Sequence, residues 1–116
     1  SFFPKKYKPV SKNLKFNDLF KKVLIQAKKF SESNNAKFFF VYLPDYKRYS
    51  LDNYSNENYI KIKNFVNSSN INFLDMNTIV FEKERDPLIF FPYKMYGHYN
   101  EIGYKKIAEK ILQEIL

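Results

Sequence analysis

The segment YGHYNEIGYKKIAEKIL, residues 96–112, holds the chain's one histidine, His98, and both of its glycines, Gly97 and Gly103. A histidine just ahead of a helix start feels the positive end of the helix dipole, which disfavours the imidazolium and keeps a neutral base available near pH 7. His98 is therefore the residue best suited to take up a proton. Asp75, closing the second of two expected strands, is the candidate to orient it, set against the commoner role of such an aspartate as a cap. Asp86 is a weaker candidate. Tyr42, Tyr46, Tyr49 and Tyr54, with Lys47 and Arg48, suit a sugar- or polyanion-binding surface, and Tyr46, Arg48, Tyr49 and Tyr96 are the candidate substrate-binding residues. The same tyrosines equally suit the wet margin of a core. One histidine, no cysteine and scattered carboxylates compose no metal site of recognisable spacing. With no phosphate loop or dinucleotide fingerprint either, no cofactor is expected.

These residues need elements to hold them. Residues 1–12 are basic and proline-bearing and read as an arm or linker, leaving 13–116 for the α/β body. Phe16, Leu19, Phe20, Val23, Ala27 and Phe30 recur at helical spacing and predict a helix over 14–33 with one buried stripe, ended by SESNN. KFFFVYL, residues 37–43, predicts a strand covered on both faces. A polar loop leads to a helix over 57–68 with Tyr59, Ile62, Phe65 and Val66 inward, then to a strand at 71–76. Asn77 is expected to cap a short helix, and DPLIFFPYKM is an apolar stretch broken by prolines. The last helix, from about Glu101 to Ile115, has Asn100 as N-cap and buries Tyr104, Ile107, Ala108, Ile111, Leu112 and Ile115.

Helix, strand, helix, strand, loop, helix predicts an α/β fold with a short parallel sheet and crossover helices. Two strands make a poor sheet alone, so further strands are expected from the rest of the same protein or from a homodimer mate. Ligands bind beyond the carboxyl ends of such strands. The Pro44 loop, Asp75 and the His98 loop should converge there.

At 116 residues, 45% hydrophobic and 20% aromatic, the chain has the size and apolar content of one folded domain. Its net charge of +8 invites a nucleic-acid reading, but the lysines are scattered over expected wet helix faces and arginine is scarce, which favours a solvated surface. No membrane span or signal peptide is visible, and the absence of cysteine fits any compartment. The first residue is Ser, and the sequence reads as the C-terminal part of a longer protein.

GHYNEIGYKKIAEKI, preceded by FFFVYLP and INFLDM, resembles the C-terminal third of the SGNH (GDSL-like) hydrolases and of SGNH domains in O-acyltransferase systems. His98, Asn100, Gly103, Tyr104 and Ala108 match, in order, that family's last block, over 96–112 most strongly. The resemblance implies part of a three-layer, flavodoxin-like fold and acyl-ester chemistry: a serine attacks an ester carbonyl, His98 takes its proton, and an oxyanion hole holds the developing charge. Acyl esters or acetylated carbohydrates would be the substrates. Asn100 would be a cap, and Gly103 and Tyr104 packing residues. The family's Gly-Asp-Ser and Gly-x-Asn-Asp blocks are absent, and Met95 and Tyr96 stand where the family has its orienting aspartate. The nucleophile would then lie outside this chain, which alone should be inactive. The competing expectation is a non-catalytic basic α/β binding module or a degenerate SGNH relative.

Overall fold

The computed structural model describes residues 16–116; the expected arm and the first two residues of the expected first helix lie outside the described residues. In order come α1 (Phe16–Ser33), β1 (Phe39–Tyr42), α2 (Tyr46–Ser50), α3 (Glu57–Ser68), β2 (Asn72–Asp75), α4 (Met76–Ile79), three 3-10 turns (Phe81–Lys83, Pro87–Phe90, Pro92–Lys94) and α5 (Glu101–Ile115). The fold is mixed α/β and mostly helical. Two compact units divide the chain between Phe38 and Phe39.

In the first unit, α1 ends where SESNN predicts. Asn35 takes the left-handed conformation (φ 56°), with the Ala36 amide donating to Ser31 O and the Asn35 amide to Glu32 O, a C-cap usually built on glycine. Asn70 does the same after α3. A chain with two glycines closes its helices with asparagine, the next residue able to adopt that conformation. The buried stripe of α1 differs from expectation: Leu24 is the buried residue, while Leu19, Val23 and Phe30 are exposed. Apolar residues at 19, 20, 23, 24 and 25 span more than one helix face, so periodicity alone does not choose the inward one.

In the second unit, β1 and β2 pair in parallel in the register Phe39↔Asn72 to Tyr42↔Asp75. Alternation puts Phe39, Val41 and Leu74 against the main core. The other face carries Phe40 stacked on Phe73 (5.8 Å), and Tyr42 against Tyr59 of α3 (5.0 Å). Every residue of β1 is half-buried, not covered on both faces. Asp75, not Asn77, caps α4: its Oδ1 accepts from the Asn77 amide at 3.0 Å.

The core lies largely in the segment between β2 and α5. Met76, Val80, Phe81, Phe90 and Phe91 are buried with Leu74 and Ile107. In α5 only Gly103 and Ile107 are buried; Tyr104, Ala108, Leu112 and Ile115 are exposed, against the wider stripe expected.

Tyr49, stacked on Phe81, donates to Asn77 Oδ1 (2.6 Å), whose amide nitrogen donates to Glu82 Oε1 (2.7 Å). Burial holds the Tyr49 and Tyr99 phenols well above the ordinary tyrosine value, with Arg48 pulling Tyr49 the other way. An acid whose folded pKa is raised keeps its proton longer in the native state. Stability is therefore full below about pH 10, where free tyrosine ionises, and falls as pH rises further, by at most about 1.4 kcal/mol per pH unit for each tyrosine before solvent screening is allowed for. Tyrosinate absorbance should appear together with loss of circular dichroism; complete titration near pH 10 in a folded protein would contradict it.

Candidate functional site

His98 lies in the loop between the last 3-10 turn and α5, and the residues after it anchor that loop. Asn100 makes four bonds: its Oδ1 caps α5 by accepting from the Gly103 amide (2.9 Å), its carbonyl accepts from the Tyr104 amide (3.0 Å), its Nδ2 donates to Ile89 O (2.7 Å), and its own amide donates to Phe90 O (2.8 Å). The Tyr99 ring packs against Phe81 (5.2 Å) and Phe91 (5.4 Å), and its hydroxyl donates to Pro44 O. The loop after β1 and the loop before α5 are thus tied together. His98 itself is exposed, and its imidazole has no hydrogen-bond partner among the described residues.

The two loops enclose an open groove of about 240 Å³. Leu43, Pro44 and Asp45 line one wall, directly past the carboxyl end of β1; Gly97, His98 and Tyr99 line the other, with Phe91 and Tyr104 completing it. Tyr104 is 51% exposed and meets Tyr99 edge-on at 5.4 Å, so it serves as a groove wall rather than core. Two of the three segments expected at the strand ends do meet here.

Asp75 does not line this groove. It is buried and accepts from the Asn77 amide, from Thr78 Oγ1 (3.1 Å) and from the Tyr59 hydroxyl. Burial, helped by that bond to Asp75, raises the Tyr59 phenol. Asp86 pairs with Lys94 Nζ (2.8 Å) and accepts from the Leu88 amide.

The four candidate substrate-binding residues also lie off the groove. Tyr46 holds the histidine loop from behind, edge-on to Phe91 and Tyr96, with its hydroxyl toward Lys94 O (3.4 Å). Tyr49 belongs to the core margin. Tyr96 is exposed beside the groove. The Arg48 guanidinium sits over the rings of Tyr59 (4.6 Å) and Tyr54 (4.9 Å), donating to Asn56 Oδ1 (2.6 Å) and to the Tyr42 hydroxyl (3.1 Å), with Nε buried and unpaired. That cage joins α2 to α3.

Asp45 is the groove residue that sequence reasoning missed. Its signal was present: an aspartate after Pro44 with Arg48 three places on is an N-cap pattern, and Asp45 Oδ1 accepts from the Arg48 amide at 3.2 Å. The chain matches no family model, no curated protein and no solved structure. The groove's chemistry therefore has to be read from its own side chains. An exposed imidazole and a carboxylate face a small, largely aromatic space, which suits proton transfer to a ligand held there. No serine, threonine or cysteine lines it, so the usual acyl-accepting hydroxyl or thiol is not on its wall. Among the described residues no His, Cys, Asp and Glu cluster could hold a metal ion, and no helix is long and apolar enough to cross a membrane.

Gly103 is what lets α5 start so close to Phe90. A Cβ there would stand 2.9 Å from Phe90 O and 3.1 Å from the Cβ atoms of Phe90 and Tyr99. The Phe90 carbonyl is held by the Asn100 amide and has little room to retreat. Gly103→Ala should therefore lower stability by about 1–3 kcal/mol, although alanine is the better helix former by about 1 kcal/mol. Urea midpoints check this; a stabilised variant would show that the contact yields.

Proposed function

We propose that this chain is the histidine-bearing C-terminal part of an SGNH-like esterase or O-acyltransferase, within a larger three-layer, flavodoxin-like sheet arrangement. The nucleophilic serine comes from a part of the protein outside these 116 residues. The observation that carries the reading is His98 itself: an exposed, unpaired imidazole in a groove at the carboxyl end of β1, held by Tyr99 and by the Asn100 cap. In this reaction the serine hydroxyl attacks the ester carbonyl while His98 accepts its proton, and His98 then returns the proton to the leaving alkoxide. Water, or an acceptor hydroxyl, releases the acyl group in a second round. Acyl or acetyl esters, those of carbohydrates among them, are the substrate class. The partner that completes the sheet is the rest of the same protein or a second copy of this chain.

The second reading is a non-catalytic α/β binding module. The absence of any serine, threonine or cysteine on the groove wall favours it. Turnover of p-nitrophenyl acetate by the full-length protein and by its His98→Ala variant decides between the two. Activity that depends on His98 supports the esterase reading. Equal turnover in both, or none in a folded full-length protein, supports the module.

A further inference from the structure

The groove has a composition at odds with the rest of the chain. The sequence carries 20 lysines and arginines and a net charge of +8, yet among the described residues no lysine or arginine lines the groove, and it holds the Asp45 carboxylate. Arg48 is turned into the cage of Tyr42, Tyr54 and Tyr59, and Lys94 is paired with Asp86. Asp45 accepts from the Arg48 amide and bonds to the Tyr54 hydroxyl, and it has no ion pair among the described residues. Its charge is felt inside the groove: the Tyr99 phenol, raised first by burial, is raised further by Tyr104 and by Asp45. The positive end of α5 is answered within that helix, where Asn100 takes the Gly103 and Tyr104 amides and Glu101 stands in the first turn.

Three aromatic rings line the same space. Tyr99 meets Phe91 at 61° and Tyr104 at 69°, with 5.4 Å between centroids in each pair. Rings set at such steep angles can close on a compact, rounded group from several sides, and their faces are the negative poles of the ring quadrupoles. An anion would meet no cation here, and a sugar would meet no Ser, Thr, Asn or Gln side chain.

We propose that the groove is a binding site for a quaternary or fully methylated ammonium group, enclosed by Phe91, Tyr99 and Tyr104 with Asp45 as its counter-charge. A primary ammonium fits less well, because it brings three N–H donors while the Asp45 oxygens already serve the Arg48 amide and the Tyr54 hydroxyl. A methylated ammonium needs the field of the carboxylate and no free acceptor. The site stands without the esterase reading. On that reading the ammonium is a substituent of the ester, and on the module reading it is the ligand itself.

The test is a titration of the isotope-labelled full-length protein with choline chloride near pH 8, where an ordinary imidazole is uncharged. The amides of Gly97, His98, Tyr99 and Tyr104 should shift saturably. Choline should bind at least about tenfold more tightly than dimethylbutanol, the isostere in which carbon replaces the charged nitrogen. A net charge of +8 repels cations overall, so this preference has to arise in the groove. Asp45→Asn, which keeps a good N-cap for α2, should weaken choline about fivefold or more and leave the isostere unchanged. Tyr104→Leu, at an exposed position, should weaken choline about threefold. Choline that binds no tighter than its isostere, shifts that lie outside the groove, or unchanged affinity in either folded variant overturns the site. Phosphatidylcholine vesicles separate the sources: co-sedimentation that is lost in Asp45→Asn assigns the ammonium to a lipid headgroup, and choline binding without co-sedimentation assigns it to a soluble ligand. Ester turnover does not enter the test, so a failed site leaves the esterase reading standing, and a working site in a protein without turnover counts against that reading alone.

Discussion

Full-length protein carrying His98→Ala is expected to lose about a thousandfold or more of its kcat on p-nitrophenyl acetate while its stability stays within about 0.5 kcal/mol. The two halves of that result have separate physical causes. On the esterase reading proposed above, the rate would fall because the serine would lose the group that accepts its proton, and the groove wall holds no second histidine to replace it. Stability holds because the imidazole is exposed, makes no hydrogen bond among the described residues and caps nothing. Asn100 and Tyr99 fix the loop, and both remain. A His98→Ala protein that loses both activity and fold would assign His98 a structural role, and one that keeps full activity would remove it from the chemistry. KM separates binding from catalysis: a change confined to KM makes His98 a substrate contact.

Phe81→Ala is expected to cost about 3–5 kcal/mol, a large part of the stability of a domain this size. Phe81 is fully buried, and four rings close on it: Tyr49 stacked at 5.2 Å, Phe90 edge-on at 5.1 Å, Tyr99 at 5.2 Å and Phe91 at 6.1 Å. Truncation leaves a cavity that these rings cannot readily fill, because Tyr49 is tied to Asn77 and Tyr99 to Pro44. Phe91 and Tyr99 also line the groove, so loosening them should reduce any groove-dependent activity before the protein unfolds. Phe81→Leu, which keeps most of the volume, should cost much less. Urea unfolding of the two variants measures the difference, and a loss below about 1 kcal/mol for Phe81→Ala would show that Phe81 is not the centre of the core.

Where a feature depended on neighbours a few residues away, the sequence determined it. The limits of α3 and α5, the Asn100 cap, the end of α1 at SESNN and the existence of both strands follow from helical spacing, capping side chains and short β-branched or aromatic runs. Each of these is settled within about one turn of chain. The tertiary structure alone decided which apolar residues are inside. Leu24 is buried while Val23 beside it is exposed, and Phe81, Phe90 and Phe91 form the core from a proline-broken stretch without a clear period. It also decided which side chains line the groove: Tyr104 does, whereas Tyr46, Arg48 and Tyr49 turn to other work. The pairing of the Asp45 loop with the His98 loop belongs to the same class, since the Tyr99 to Pro44 bond spans 55 residues. Local spacing records which backbone groups bond nearby, but burial and groove membership depend on packing between segments distant in the chain, which no short window of sequence contains.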